Sequence, residues 1–262
     1  MSTTQRMQAI FFGHGSPMNA IEQSRYGDAW QSFGANTPKP KAILMVSAHW
    51  YTRGTAVTAM QRPQTIHDFG GFPQALFDVQ YPAAGSPALA GRVAELLAPT
   101  QVHADDHEWG LDHGAWGVLV HAYPQADVPV VQLSIDGTKP PQYHYDLAKR
   151  LAPLRDEGVL IAGSGNVVHN LRTARRGDSS TAYDWATSFE NTVREHVQKG
   201  QHQPLIDYEK FGEAAALSAP TPEHYLPLLY VLAQQQAGEA VSFPTAGIDW
   251  GSISMLSVVV GE

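Results

Sequence analysis

Cysteine is missing from the whole chain of 262 residues. Disulfides and thiolate metal sites are thereby excluded, and any bound metal must be held by nitrogen or oxygen. Long apolar runs are missing too. Nothing approaches the roughly 18 consecutive apolar residues of a membrane span, and the stretch from Met1 to Gln8 has no apolar signal core. The expected setting is the cytoplasm, with no membrane partner. Basic residues are scarce, 17 against 25 acidic ones, for a formal net charge of -8. Neither nucleic acid nor an anionic membrane would be drawn to such a chain overall, so a small-molecule role fits better. Repeats, low-complexity tracts and linkers are absent as well. Residues 1–262 read as a single domain, long enough to bury a substantial core.

Histidine, by contrast, is plentiful, with 12 copies. The chain is organised around Lys41-Ala42-Ile43-Leu44-Met45-Val46-Ser47-Ala48-His49-Trp50, where an apolar run leads straight to His49. Its β-branched residues and lack of polar alternation read as a strand covered on both faces, as in a parallel sheet. The pattern recurs in Ala9-Ile10-Phe11-Phe12-Gly13-His14-Gly15 and in the run from Val159 through Gly163-Ser164-Gly165-Asn166 to His169. In open α/β sheets, ligands collect in the crevice where strands end. Histidines far apart in sequence but placed alike therefore point to one site. The expected fold class is α/β: a mostly parallel central sheet flanked by helices, with the active site at the carboxyl ends of the strands.

The remaining elements follow in order. Gly13 and Gly15 let a loop, not a helix, carry His14 close to a ligand. Residues 18–34 are partly helical, with Ile21, Tyr26, Trp30 and Phe33 at helix-like spacing, and Pro38 and Pro40 lead into the next strand. Residues 55–60 alternate as a strand, and residues 66–73 form an aromatic, glycine-rich loop of the kind that makes lids or pocket walls. Residues 86–98 make a helix with Ser86 as cap and Pro87 in its first turn. Residues 105–117 are read as a polar loop that must face solvent or a metal, because its carboxylates and imidazoles are costly to bury unpaired. An apolar strand at 118–120 is expected next, then a strand at 128–134 and a helix at 142–154. Residues 163–166 read as a tight turn. An amphipathic helix at 182–197 is closed by Gly200, a proline-introduced helix carries His224 in its first turn, and a last strand spans 253–260.

On residue type alone, His14, His49, His169 and His224 are imidazole donors at element ends, with His113 a fifth candidate. Such groups suit iron(II), zinc, copper or nickel, whereas calcium and magnesium prefer oxygen. Five blocks then carry a resemblance: Gly13-His14-Gly15-Ser16-Pro17, Ser47-Ala48-His49-Trp50, Leu111-Asp112-His113-Gly114-Ala115-Trp116, Gly163-Ser164-Gly165-Asn166-Val167-Val168-His169-Asn170 and Glu223-His224-Tyr225-Leu226-Pro227-Leu228. Together they resemble the class III extradiol ring-cleavage dioxygenases, in particular the DOPA 4,5-dioxygenase branch. The resemblance implies an enzyme that opens a small aromatic catechol such as DOPA with O2 at one divalent metal. Iron(II) is expected for activity, and zinc(II) is able to take the same nitrogens. It implies His14, His49 and His224 as metal ligands, His169 as acid/base or additional ligand, and His113 as a second-sphere histidine near substrate and dioxygen.

The last block offers Glu223 and His224 side by side. Glu223 would complete a two-histidine, one-carboxylate triad; the His-Tyr-Leu-Pro-Leu match favours His224 and an all-nitrogen site. Asp112 is expected to orient an imidazole. Trp50, Trp116 and Phe72 read equally well as pocket walls or as core. Arg172, Arg175 and Arg176 are read as a solvated face, and His67, His103, His107, His121, His144, His196 and His202 as structural or surface residues. Two other functions stay open on residue type: a zinc hydrolase using the same histidines, and a non-catalytic metal or small-molecule binding protein.

Overall fold

The computed structural model describes residues 6–175 and 181–261. Its first half runs β1 (Ala9–Gly13), a 3-10 turn (Pro17–Ala20), α1 (Arg25–Asn36), β2 (Ala42–Ser47), β3 (Tyr51–Thr52), β4 (Thr55–Thr58), α2 (Gln74–Phe77), α3 (Pro87–Leu97), β5 (Val102–Asp105), α4 (His113–Ala122), β6 (Val130–Gln132) and β7 (Ile135–Asp136). The second half runs α5 (Pro141–Lys149), α6 (Pro153–Asp156), β8 (Val159–Gly165), α7 (Asp184–Gln198), α8 (His202–Ile206), a 3-10 turn (Tyr208–Phe211), α9 (Glu213–Ser218), α10 (Leu226–Leu232), β9 (Val241–Ser242), β10 (Ile248–Asp249), β11 (Ile253–Ser254) and β12 (Val258–Val260). No helix of the described residues is long and apolar enough to cross a membrane.

Six strands form the central sheet in the order β6-β2-β8-β1-β12-β9. β6, β2, β8 and β1 are mutually parallel, and β12 and β9 extend the sheet antiparallel. Every residue of β1, β2 and β8 is buried, because their side chains alternate between two cores. Phe11, Leu44, Val46 and Ile161 enter one core with residues of α5, α7 and α10; Ile10, Phe12, Ile43 and Met45 enter the other with Trp30 of α1 and Trp116 of α4. Burial of each such large side chain stabilises the fold by about 1.5–3 kcal/mol. That two-sided burial is why these strands read as unbroken apolar runs.

Register decides where the site falls. Gly13 lies opposite Gly165 and Ser47 opposite Ser164, so the carboxyl ends of β1, β8 and β2 are level. β8 sits between the first two strands, and the chain segments leaving all three meet above it. Residues 163–165 belong to β8 and are not the tight turn expected from Gly-Ser-Gly-Asn. The glycines serve close approach instead: a Cβ on Gly163 would lie 2.6 Å from the Pro227 carbonyl oxygen, and one on Gly165 would collide with the His224 carbonyl oxygen.

Two other expectations change. Residues 113–122 form a helix, so the strand read at 118–120 and the loop read up to Gly117 give way to α4. The Asp112 side chain accepts from the Ala115 amide at 3.1 Å, a cap worth about 1 kcal/mol. The helix is buried nearly all round, which removed the polar face that would have marked it as one. Residues 253–260 split into β11 and β12, which lie in different sheets. The expected helices at 86–98 and 182–197 appear as α3 and α7, with Ser86 accepting from the Leu89 amide at 3.2 Å.

Candidate active site

His14 directly follows β1 and His49 lies just past β2. His113 opens α4. His169 follows β8 and is fixed by its amide on the Ser218 carbonyl (2.7 Å) and by a bridge to Ile253. His224 lies in the turn before α10, not in its first turn, and its carbonyl accepts from Asn166 at 2.9 Å. All five converge. Ring centroids of His14, His49 and His224 lie 5.1, 5.4 and 5.2 Å apart. His169 stacks on His224 at 3.5 Å, and His113 lies 3.9 Å from His49. They share a cavity of about 250 Å³ whose apolar wall includes Phe69, Phe72, Leu171, Trp250 and Ile253. A larger groove of about 750 Å³ between Trp50, Arg53, His103 and Trp109 holds none of the five. Convergent titratable groups, not size, mark the better candidate.

The hydrogen bonds behind the rings set which nitrogen faces the centre. Ser164 Oγ donates to the Gly114 carbonyl at 2.5 Å, so its one proton is spent and it accepts from His14 Nδ1 at 2.9 Å. His49 Nδ1 lies 3.3 Å from Asp68 Oδ2, and His224 Nδ1 lies 3.2 Å from Glu223 Oε1. His14 and His224 thus place the Nδ1 proton on a protein acceptor, His49 turns Nδ1 to the Asp68 carboxylate, and Nε2 is left to face inward. The Nε2 atoms of His14 and His49 stand 3.4 Å apart. Two acceptors face each other there, an unfavourable contact that a cation between them would relieve. Two nitrogens each about 2.1 Å from one ion at a tetrahedral angle lie about 3.4 Å apart. One ligand atom from each of His14, His49 and His224 falls within 4.8 Å of the others, so the donor set fits a single metal ion.

Two carboxylates also border the site, in the overlapping groups His49-Asp68-His113 and His169-Glu223-His224. Both are already engaged behind the rings. Asp68 Oδ1 accepts from the His113 amide and from His113 Nδ1, each at 2.9 Å. Glu223 Oε1 accepts from Thr221 Oγ1 at 2.8 Å as well as from His224.

Burial, followed by the neighbouring imidazoles, holds His14 and His224 well below the ordinary histidine value. Burial likewise pushes His49 down to about 3 and His169 to about 4. The unprotonated rings are the metal-binding form. Asp68 shows the opposite balance: burial pushes it up, but the His113 hydrogen bond and the His113 and His49 charges leave it at about 2.

Sequence reading gave the imidazole-orienting role to Asp112, and the structure gives it to Asp68. Asp112 is fully buried and accepts from Ser47 Oγ and Gln132 Nε2, both at 2.7 Å. It touches His49 only indirectly, since Ser47 Oγ accepts the His49 amide at 3.2 Å. Asp68 sits in the aromatic, glycine-rich loop, and its one signal was that it precedes Phe69-Gly70-Gly71. Of the three aromatic residues weighed, Phe72 lines the cavity, Trp116 is core with its indole on the Ile66 carbonyl (2.8 Å), and Trp50 stacks on Trp109 outside it. None of the seven histidines read as structural or surface lines the cavity; His144, for example, is buried against Tyr230 Oη at 2.9 Å. Arg175 packs over the Tyr183 ring, and Arg176 lies outside the described residues.

An α/β fold with neutral imidazoles closing on one apolar cavity is the frame of a single-metal enzyme acting on an apolar or aromatic molecule. Comparison with known proteins gives the family. Residues 8–255 match the family described as the catalytic LigB subunit of aromatic ring-opening dioxygenase. The chain is 56% identical to a 4,5-DOPA dioxygenase extradiol of Escherichia coli (strain K12), covering 100% of this chain and 97% of that one. It is 39% identical to a 4,5-DOPA dioxygenase extradiol of Beta vulgaris over 84% of each. A crystal structure of an uncharacterized Escherichia coli K12 protein superposes with a TM-score of 0.86 at 50% identity, covering 98% of this chain and 100% of that one. The chain belongs to the LigB family of extradiol, aromatic ring-opening dioxygenases. These enzymes use O2 and a single metal, which the histidine cluster could hold.

Proposed function

We propose that the protein opens a catechol such as DOPA at the 4,5 bond, as one catalytic domain over residues 1–262 working in the cytoplasm. The observation that carries this reading is the set of inward Nε2 atoms at the floor of a cavity with aromatic walls. His14, His49 and His224 are the metal ligands, with Glu223 behind His224 as its hydrogen-bond acceptor. Iron(II) is the working metal, and zinc(II) is the ion the same nitrogens would take up during purification. Bound there, the metal would supply Lewis acidity toward the catechol oxygens and an electron path to dioxygen.

The chain's own residues do the rest. His169, unprotonated and facing the cavity, takes the proton that the catechol releases and later returns it. His113 is held by its Nδ1 on Asp68 at 2.9 Å, which fixes the ring and turns its Nε2 toward the substrate. Phe69 packs edge-on against His113 at 5.4 Å and, with Phe72, keeps water from the ring. The wall is apolar, so a flat aromatic molecule loses little on desolvation.

The test is O2 uptake by anaerobically prepared, iron(II)-loaded protein on adding DOPA or unsubstituted catechol, with visible absorbance followed for a yellow semialdehyde. Uptake matched to product, and lost in His14→Ala and His49→Ala, is the expected result. A filled metal site with no uptake on either catechol would overturn the reading in favour of the zinc hydrolase.

A further inference from the structure

Trp250 occupies a place that its own backbone resists. It is the first central residue of the turn joining β10 to β11, with φ of 50°, and Gly251 follows at 78°. The Ser252 amide closes the turn on the Asp249 carbonyl at 3.2 Å. Two successive residues at positive φ make a turn whose central positions favour Asn, Asp or Gly. A bulky aromatic residue there is an outlier, and such strain persists only where the surroundings over-determine it.

Here they do. The Trp250 carbonyl accepts from the Arg175 amide at 2.8 Å, and the Gly251 carbonyl accepts from the Tyr183 amide at 3.0 Å. The Ser252 carbonyl accepts from the Asn170 amide at 3.1 Å, and Ser252 Oγ donates to the Asn170 carbonyl at 2.9 Å. The turn is thus laced to the segment that carries His169. These are bonds of the backbone and of Ser252 Oγ, which an asparagine at position 250 would leave in place at lower backbone cost. The indole lines the histidine cavity and packs at the edge of the core that includes Met255 and Ile253. Exposure orders that cavity: His14, His113, His224 and Ile253 are buried at its floor, Phe69, Phe72 and Trp250 are half-buried, and Leu171 is 61% exposed at its rim.

We propose that Trp250 is a substrate-positioning residue, the wall against which a flat aromatic diol is held above the imidazole floor. The inference deepens the ring-opening reading and rests on it for the choice of ligand. Strain retained in the turn is the cost of presenting an aromatic face where the local conformation calls for a small polar residue. The indole selects planarity, so substrates with and without a ring substituent lose affinity alike when it is removed.

The experiment titrates zinc-loaded protein with 4-nitrocatechol by absorbance under argon, and runs iron(II)-dependent kinetics in parallel. Trp250→Asn should raise the Kd for 4-nitrocatechol by up to about tenfold, the range of one aromatic contact, with zinc affinity unchanged. KM for DOPA and for catechol should rise together, the loss falling on KM more than on kcat. Trp250→Phe should retain most of the affinity. Trp250→Leu, which keeps bulk without an aromatic face, should behave like Trp250→Asn and serves if the asparagine variant misfolds. Wild-type affinity in Trp250→Asn or Trp250→Leu with zinc in place overturns the proposal, whatever the turnover. Lost affinity in a protein that never consumes O2 would instead sink the ring-opening reading and leave the aromatic wall standing.

Discussion

The two ends of the central sheet handle buried polar groups in opposite ways. At the amino end of β1, Arg155 is 1% exposed, yet its donors are well used. Nε and Nη1 donate to the carbonyls of Met7 and Gln234, each at 2.6 Å, and Nη1 and Nη2 reach the Glu239 carboxylate at 2.9 and 2.8 Å. At the carboxyl end, five imidazoles and two carboxylates crowd together, and the inward nitrogens of His14 and His49 face each other as acceptors. One cluster is satisfied by protein alone, while the other presents donors that could hold a cation. A buried polar group that finds its partners in the chain is architecture, and one whose partners all stand behind it points to a ligand.

The comparison can be broken most forcefully at the satisfied end. Arg155→Met should destabilise the fold by about 3 kcal/mol, near the lower bound for breaking a buried pair, because Glu239 keeps 20% exposure. Metal affinity per folded molecule should not change. Urea unfolding alongside zinc titration checks both halves, and a loss of metal affinity would mean that the two ends are coupled.

A smaller effect is expected at the other end. Asp68→Ala removes the carboxylate that His113 hydrogen-bonds and His49 faces, and should weaken metal binding by about 10–100-fold while the melting temperature barely moves. Long-range ¹⁵N–¹H NMR of the apo protein should then show mixed tautomers where the parent shows Nδ1–H rings. Glu223→Gln, whose side-chain oxygen still accepts, should cost less. Loss of metal in Glu223→Gln with retention in His224→Ala would reverse the assignment of the third ligand.

The smallest effect concerns pH. Burial pushes the Glu239 carboxyl up, but the Arg155 hydrogen bonds and the Gln236 amide bring it below its ordinary 4.5. A folded value below the unfolded one means that the stabilisation is present above pH 4.5 and is lost as pH falls through the folded value. Glu239→Gln should therefore flatten the acid limb of stability, read as the urea midpoint between about pH 5 and pH 3. An unchanged limb would show that the pair contributes no pH dependence.

Much of this is legible in the sequence. Strands followed by His14, His49 and His169 could be seen because burial on both faces leaves an unbroken apolar run, and the chemistry begins where the run stops. α4 was harder to read. A helix buried nearly all round has no polar face to set its period, and Val118-Leu119-Val120 has the composition of a strand. Asp68 was missed for a different reason: its partners His49 and His113 lie on other segments, and no local pattern in the loop announces a contact with them.

The sequence by itself determined the donor chemistry, nitrogen and oxygen without sulfur, and the class of fold, because residue type and apolar periodicity are local properties. Tertiary structure alone decided which nitrogen of each ring faces inward, that Asp68 and not Asp112 holds the imidazoles, and that Trp250 lines the cavity. Those outcomes depend on hydrogen bonds and packing between segments up to 244 residues apart, as in the Gly13 amide on Ser257 Oγ. Only the register of β1, β2 and β8 brings such segments within reach of one another.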